Sequence, residues 1–277
     1  ATTIEAGVRA AYATLVTNAD YARGALALAR SLRAVGATEP LVVLATPGAE
    51  GLESLARAGA QVREVAPLPL SASFKARHSR RAQHEAAPFT KGTKPVFHDP
   101  LDNFQKLRLW SLEDYDRLIF LDADAVVVKP IERLFHYPDF AAAPNLYETL
   151  ADFHRLNSGV FTVTPAPARF EAMLAALDRP DAWWRRTDQT FLEWWYPDWH
   201  GLPYTYNTLQ YVFFNLPELW HWPRIKVVHF QYEKPWQDDH PKADRLGPLI
   251  ELWWRLYEGG APPAELPAPT LEPAPGG

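Results

Sequence analysis

The sequence contains no cysteine, a single methionine and no long apolar run. Without cysteine the chain has neither disulfides nor thiolate ligands, so any bound metal must take oxygen and imidazole ligands. No stretch approaches the roughly 18 consecutive apolar residues of a transmembrane helix. Residues 1–16 also lack an apolar core of signal-peptide length. We therefore expect no transmembrane segment and a cytoplasmic location.

Positive charge is not in excess either, because the formal net charge is -5. Proteins that bind nucleic acid usually present a basic face, so we expect no nucleic-acid partner. Aromatic residues, in contrast, are abundant, with 11 tryptophans and 11 tyrosines. Such a content fits a core rich in rings, or a flat-faced ligand such as a sugar or a nucleobase.

Apolar runs of strand length alternate with segments of helical spacing in the first part of the chain. The strand-like runs are 11–18, 41–46 and 61–68, and the helical segments are 20–36 and 51–59. This alternation predicts an α/β domain with a mainly parallel central sheet and flanking helices. Ligands of such sheets bind at the carboxyl ends of the strands.

Residues 68–100 interrupt this pattern with a long, basic and proline-punctuated stretch. A loop of this length is usually functional or disordered. Its cations either cover an anionic ligand or are simply solvated: Lys75, Arg77, Arg80, Arg81, Lys91 and Lys94. We predict one domain over residues 8–258, with 68–100 as a long loop or insertion. The Pro/Ala-rich tail, 259–277, is expected to be disordered.

Two carboxylates follow the apolar run "RLIFL", in the step Asp122-Ala123-Asp124. If the backbone turns at Ala123, both carboxylates face one point at the edge of the sheet. Hard anionic oxygens there suit Mg²⁺ or Mn²⁺ together with substrate phosphates. The alternative is an aspartate turn that caps a loop, since Asp-x-Asp also occurs by chance.

A second strand-like run, "KVVHF", places His229 where its imidazole could be a third metal ligand. The alternative is a hydrogen-bonded structural histidine. Lys234 follows within five residues and could bind a phosphate as a point charge. Mixed oxygen and imidazole ligation favours Mn²⁺ over Mg²⁺.

Seven segments in register resemble glycosyltransferase family 8, the group that contains glycogenin and galactinol synthase. In chain order they are "ATLVTNADYARGALALARSL", "LVVLATPG", "LDNFQKLRLWSLEDYDRLIFLDADAVVVKPIERLF", "LNSGVFTVTP", "TDQTFL", "PYTYN" and "KVVHFQYEKPW". The resemblance extends from about residue 11 to residue 237. It implies a single-domain glycosyltransferase-A fold, UDP-sugar donors, Mn²⁺ dependence and retention of anomeric configuration.

The resemblance also assigns site residues. It places the metal ligands at Asp122, Asp124 and His229. The remaining donor-binding positions are Leu15, Thr17, Asn18, Tyr21 and Val43 for the uridine, Lys106 and Lys234 for charge near the diphosphate, Ala123 within the Asp-x-Asp step, and Asn157, Ser158, Asp188 and Gln189 around the sugar. Of these, Asp188, Gln189, Asn157 and Lys234 are the predicted catalytic residues. Asp188 acts either as a nucleophile or by binding sugar hydroxyls.

The resemblance leads to a functional hypothesis. The chain is expected to be a Mn²⁺-dependent retaining hexosyltransferase that moves glucose or galactose from UDP to a separate small-molecule, saccharide or glycan acceptor. A self-glycosylating primer like glycogenin and a non-catalytic nucleotide-sugar-binding module stay as alternatives, and so does a homodimer. The acceptor tyrosine of glycogenin falls near Phe214, which has no hydroxyl, and Tyr211 is out of register. Trp194, Trp195 and Trp199 either stack on an acceptor or pack in the core.

Overall fold

Fully buried apolar strands form the centre of the molecule. The computed structural model describes residues 4, 6–85, 92–179 and 187–269. The strands are β1 (Ala10–Val16), β2 (Leu41–Ala45), β3 (Gln61–Glu64), β4 (Arg117–Leu121), β5 (Ala125–Val127), β6 (Ala141–Pro144), β7 (Leu156–Val163), β8 (His200–Gly201), β9 (Thr208–Leu209) and β10 (Val227–His229). The α-helices are α1 (Ala19–Ala34), α2 (Leu52–Arg57), α3 (Ala72–His78), α4 (Pro167–Leu177), α5 (Asp188–Trp195), α6 (Val212–Asn215) and α7 (Ala243–Tyr257).

The large sheet has the strand order β3-β2-β1-β4-β7-β6-β8. Strand β1 pairs in parallel with β2 and β4, and β2 pairs in parallel with β3. Strand β7 is antiparallel to both of its neighbours, β4 and β6. The sheet is therefore mostly parallel, as the alternating pattern predicted, and every residue of β1 and β2 is buried.

A smaller sheet, in the order β5-β10-β9, lies beside the carboxyl end of β4. The chain leaves β4 at Leu121, turns through Asp122–Asp124 and enters β5 at Ala125. Strand β10 runs antiparallel to β5, and its register places His229 opposite Ala125. The two sheets thus bring a histidine from late in the chain next to the Asp-x-Asp step.

Helix α1 follows β1 directly because Asn18 caps its first turn. The Asn18 side chain accepts a hydrogen bond from the Tyr21 backbone N–H, which satisfies one of the free donors of the helix start. The buried face of α1 carries small residues such as Ala25 and Ala27. These let the helix lie close to β5 and α7, so that Tyr21 stays near the carboxyl end of β1.

Residues 68–100, for which the sequence predicted a long loop, contain structure in their described part. Helix α3 and a π-helical turn at Arg81–Glu85 lie there, and the described residues continue from Gly92. Lys91 and the rest of 86–91 lie outside the described residues. Residues 102–111 have helical spacing but form successive 3₁₀ turns. That winding places residues three apart on one side, and Asn103 and Lys106 both face the same cavity.

The described part of the Pro/Ala-rich tail lies against the domain. Leu266 packs on the core around α7, and the Trp222 indole donates to the Pro263 carbonyl at 3.2 Å. The predicted domain boundaries stay a prediction, and residues 270–277 lie outside the described residues. Among the helices that the structure describes, none has both the length and the apolar character that a membrane span requires.

Candidate metal and donor site

A cavity of about 430 Å³ opens where β1, β4 and β10 reach their carboxyl ends. This is where α/β sheets place their ligands, and the volume lies within the range of small-molecule sites. The lining residues converge from well-separated parts of the chain: Leu15, Thr17, Tyr21, Lys94, His98, Asn103, Lys106, Asp122, Ala123, Asp124, Asn145, Tyr147, Asp152, Arg155, Asn157, Ser158, Thr187, Asp188, Gln189, Thr190, His229, Gln231, Tyr232 and Lys234.

Asp122, Asp124 and His229 meet at this cavity with one ligand atom of each within 4.8 Å of the others. The His229 Nε2 atom lies 3.1 Å from Asp124 Oδ1 and 3.7 Å from Asp122 Oδ2. Although it is buried, Nε2 has no aligned hydrogen-bond partner within the part of the chain that the structure describes. Two carboxylates and an unpartnered imidazole nitrogen form a donor set that fits a divalent cation such as Mn²⁺.

The two aspartates differ in charge environment although they are two residues apart. Burial, with the Asp124 charge adding to it, raises the pKa of the Asp122 carboxyl against the opposing effect of Lys106. Burial would also raise the pKa of Asp124, but the ammonium of Lys234 outweighs it and holds that pKa well below its usual range. Asp124 is thus the firmer anion of the pair.

Lys106 joins the metal candidates to the predicted sugar side of the site. Its Nζ lies 2.8 Å from Asp122 Oδ1 and 3.1 Å from Asp188 Oδ2, and it donates to the Ser158 carbonyl at 3.2 Å. Burial would lower the pKa of Lys106, but the carboxylates of Asp122 and Asp188 raise it. The lysine is therefore a permanent buried cation between two carboxylates.

Lys234 is the second buried cation. Its Nζ pairs with Asp124 Oδ2 and donates to the Phe230 carbonyl at 3.0 Å. The same ammonium lies 5.9 Å from the centre of the Tyr21 ring, within the range of a cation–π contact. It stands between the Asp-x-Asp step and the ring that was predicted to stack on uridine.

Three of the five predicted uridine residues line the cavity, namely Leu15, Thr17 and Tyr21. The structure does not bring the other two there. The Asn18 side chain caps α1 and donates to the Phe97 carbonyl at 3.1 Å. Val43 lies in the middle of β2 and is fully buried in the core.

The predicted sugar residues also line this cavity. Asp188 is the first residue of α5, and its Oδ2 accepts a hydrogen bond from the Ser158 hydroxyl at 2.8 Å. Gln189 Oε1 accepts from the Ser158 backbone N–H at 3.2 Å. Asn157 also lines the cavity, although its side chain is bonded to the neighbouring asparagines Asn145 and Asn207.

Lys94 is a site residue that the sequence did not single out from the other cations of its loop. It reaches the cavity, and its ammonium lies 4.7 Å from the Tyr232 ring centre. Burial, together with the nearby Lys234 charge, lowers the pKa of Lys94 to about 8. The loop is held there because the Thr93 N–H donates to the buried carboxylate of Glu233 at 2.9 Å.

The cavity also has an aromatic and basic wall that the sequence analysis did not predict. Tyr147 and Tyr232 lie with ring centres 5.6 Å apart, and the Tyr147 hydroxyl donates to Gln231. Arg155 lies in the same wall and pairs with Glu193 at 3.2 Å. Gln231 and Tyr232 lie two and three residues after the end of β10, and this position in the sequence is the signal that could have placed them here. The tryptophans considered as acceptor platforms, Trp194, Trp195 and Trp199, pack instead against the core.

Comparisons with known proteins agree with this geometry. The chain is 30% identical to UDP-glucuronate:xylan alpha-glucuronosyltransferase 1 of Arabidopsis thaliana, over 82% of this chain and 32% of that protein. It is 27% identical to galactinol synthase 1 of Solanum lycopersicum, over 93% of this chain and 84% of that protein. The chain spans less than half of the length of the xylan glucuronosyltransferases that it matches.

Solved structures establish the fold. The galactosyltransferase LgtC, crystallised with donor and acceptor sugar analogues, superposes with a TM-score of 0.63 at 15% identity, over 92% of this chain and 97% of that chain. The glycosyltransferase GlyE of Streptococcus pneumoniae TIGR4 gives 0.61 at 16% identity, over 89% of this chain and 60% of that chain. The protein thus has the glycosyltransferase-A fold that the sequence predicted. The model of the family described as "Glycosyl transferase family 8" matches residues 13–240, and the chain belongs to that family.

Proposed function

We propose that this chain transfers a sugar from a UDP-sugar to a separate acceptor with retention of configuration, and that it uses Mn²⁺. The observation that carries the proposal is the meeting of Asp122, Asp124 and His229 at the floor of a cavity. Lys234 pairs with Asp124 and lies 5.9 Å from the centre of the Tyr21 ring. Lys106 pairs with both Asp122 and Asp188. These contacts run from Tyr21 through the metal candidates to Asp188. A nucleotide, a diphosphate and a sugar fit this order.

Asp122, Asp124 and His229 would hold the cation. When bound, the cation supplies positive charge that neutralises the departing diphosphate as the bond to the anomeric carbon breaks. Lys234 and Lys94 reach the same part of the cavity and add positive charge toward the diphosphate. Tyr21 offers the uracil ring a flat face.

Asp188 is assigned the role of binding and orienting the transferred sugar. Its Oδ2 is already engaged by the Lys106 ammonium and the Ser158 hydroxyl. A carboxylate held by a cation and a hydroxyl is a weaker nucleophile than a free one, so these contacts favour binding over covalent attack. A glycosyl adduct on Asp188, trapped in a single turnover and found by mass spectrometry, would reverse this assignment.

The self-glycosylating primer is the less favoured alternative. The Tyr211 hydroxyl is buried and donates to Glu233 at 2.5 Å, so it is not presented to a donor sugar. Phe214 has no hydroxyl at all. Intact mass after incubation with UDP-glucose and Mn²⁺ decides between the two, because growth of the protein by hexose units would support the primer.

The donor sugar is proposed to be glucose or galactose, and UDP-glucuronate is included in the test. That third donor is included because relatives carry it in their names. In addition, Arg155 and Lys94 in the cavity wall could hold a carboxylate.

The experiment is a donor screen that measures UDP release from several UDP-sugars, with Mn²⁺ and with EDTA. We expect release from one donor, loss in EDTA and recovery on adding Mn²⁺. A chain that binds UDP-sugars but releases no UDP from any donor, with or without acceptors, would be a binding module. Proton NMR of the product then checks retention, since an α-linked donor has to give an α-linked product.

A further inference from the structure

A buried chain of hydrogen bonds leads from the backbone of β7 to the imidazole of His229. The Gly159 N–H donates to Asn157 Oδ1 at 2.9 Å, and Asn207 Nδ2 donates to the same oxygen at 2.8 Å. Asn207 Oδ1 then lies 2.9 Å from His229 Nδ1. The three side chains are 1%, 2% and 1% exposed for Asn157, Asn207 and His229, so water does not interrupt the chain.

The donor and the acceptor of each hydrogen bond in this series follow from the first donor, the Gly159 backbone N–H. A backbone N–H can only donate, so the Asn157 atom that faces Gly159 is an oxygen. That oxygen can only accept, so Asn207 presents its amide nitrogen to it and turns its own oxygen toward His229. Asn157 Nδ2 in turn donates to Asn145 Oδ1 at 2.9 Å, which agrees with this orientation.

The proton on the imidazole is therefore placed as well. Because an amide oxygen only accepts, Nδ1 of His229 carries a hydrogen, and Nε2 is the nitrogen left to coordinate. Nε2 is the atom that faces Asp122 and Asp124. Histidine ligands of metals commonly donate their other N–H to an oxygen, which fixes the ring and its tautomer.

We propose that Asn207 is a positioning residue of the metal centre, which together with Asn157 holds His229 with the proton on Nδ1 and Nε2 toward the cation. Asn207 is buried and does not line the cavity, so it acts through the histidine rather than on a substrate. The inference rests on the cation of the proposed function.

The glycine of the "NSG" segment serves the same arrangement. A side chain at position 159 would overlap the His229 ring and lie 2.9 Å from Asn157 Oδ1. The segment was predicted to surround the transferred sugar. Its Asn157 and Gly159 also form the wall against which the metal-ligand candidate rests.

Mn²⁺ binding to the protein alone, followed by the electron paramagnetic resonance signal of free Mn²⁺, tests the proposal. Asn207→Leu removes the acceptor at nearly constant volume and is expected to weaken Mn²⁺ binding about 10- to 100-fold. Asn207→Asp keeps an oxygen facing Nδ1 but turns its second oxygen toward Asn157 Oδ1, to which the Asn207 amide donates, so its Mn²⁺ affinity is expected to lie at or below that of wild type. Thr208→Val is the matched control. It removes a partly buried hydrogen bond to the Tyr204 carbonyl at the neighbouring residue and leaves the hydrogen bonds that lead to His229 intact.

A spectroscopic readout separates positioning from a general loss of structure. In Zn²⁺-loaded protein with ¹⁵N-labelled histidine, we expect the His229 signals to show a protonated Nδ1 and a metal-bound Nε2. His229→Gln identifies those signals by their loss.

Two results would overturn the inference: a protonated Nε2, or Asn207→Leu binding Mn²⁺ as wild type does. Failure of Mn²⁺ to bind the wild-type chain would overturn the metal centre and this inference together. Absence of sugar transfer with this binding series intact would count against the proposed function alone.

Discussion

Strand β4 has an Asp-x-Asp step at each of its ends, and the two steps differ in almost every physical respect. Asp114 and Asp116 precede the strand, where each carboxylate pairs with an arginine, Arg63 or Arg9. The four side chains of these pairs are between 32% and 54% exposed. Asp122 and Asp124 follow the strand, pair with lysines and face an imidazole, with 26% and 8% of their side chains exposed.

The difference shows what an Asp-x-Asp step means in this fold. At the amino end, solvent screens the charges and the arginine fork satisfies the carboxylates completely, so nothing further is needed there. At the carboxyl end, burial makes each unneutralised charge costly, and β10 adds a nitrogen from another sheet. The step becomes a candidate metal centre through its place in the sheet rather than through its sequence.

The largest expected difference between the two ends of β4 is in turnover, when one carboxylate is removed at each end in separate variants. If the proposed function holds, Asp124→Asn is expected to lower UDP-sugar turnover about 10³-fold, because it would remove a proposed ligand of a cation that supplies several kcal/mol of charge stabilisation. Asp116→Asn should leave turnover within about twofold, since surface pairs contribute little. Initial rates with Mn²⁺ measure both, and similar losses in the two variants would remove the distinction between the ends.

Removing one cation at each end comes next. Lys106→Met leaves the buried carboxylate of Asp188 and the partly buried carboxylate of Asp122 without their shared partner. Breaking a buried pair in this way typically costs about 3–5 kcal/mol of the free energy of unfolding. Arg9→Met is the control at the other end, and its thermal unfolding should change much less. If both variants lose the same stability, burial does not separate the two ends.

The third effect is the stabilisation that binding of the proposed cation would give the folded protein. Mn²⁺ at 100 times its dissociation constant stabilises a folded protein by about 2.7 kcal/mol. For a domain of this size the melting temperature should rise by roughly 5–10 °C. The rise is expected to persist in Asp116→Asn and to vanish in Asp124→Asn. A rise in both variants would place the cation elsewhere.

Much of the fold and part of the site could be predicted from the sequence. Strand β1, helix α1 and strand β4 have unmistakable apolar periods, and the Asp-x-Asp step and His229 each end an apolar run. The carboxyl-edge rule for α/β sheets then brings such residues together. Their roles stay predictions, although the structure places their ligand atoms within reach of one cation.

The rest of the site depends on contacts between distant segments that no local period encodes. Lys94 enters the cavity because Thr93 is bonded to Glu233, a partner 140 residues away. Asn207 matters because its amide is oriented by Asn157, which is itself oriented by a backbone N–H. Asn18 is the opposite case, because it lies close to Tyr21 in the sequence but does not reach the cavity. Its side chain caps helix α1 instead.

The smallest expected effect is on the pH dependence of thermal stability. It concerns Asp102, a carboxylate near the site whose pKa is not set by a nearby cation. Burial and the nearby Asp99 raise the pKa of Asp102 to about 6, although the Thr17 hydroxyl donates to it. At Asp116, hydrogen bonds from Arg9 lower the pKa to about 2. The two carboxylates should therefore give pH dependences of opposite sign.

A raised pKa contributes stability that is present at low pH and lost as the pH rises through the folded value, so ionised Asp102 disfavours the folded state at pH 8. Asp102→Asn should therefore raise the melting temperature at pH 8, and the gain should largely disappear at pH 4. The stability from Asp116 is present above its unfolded pKa and lost at more acidic pH, so Asp116→Asn should lower the melting temperature at pH 8. Thermal unfolding of both variants at the two pH values measures this.

An Asp102→Asn gain that is equal at pH 4 and pH 8 would mean that Asp102 is not buried as an ionisable group. Only Asp116, through its pairing with Arg9 at the amino end of β4, would then give a pH-dependent change in stability.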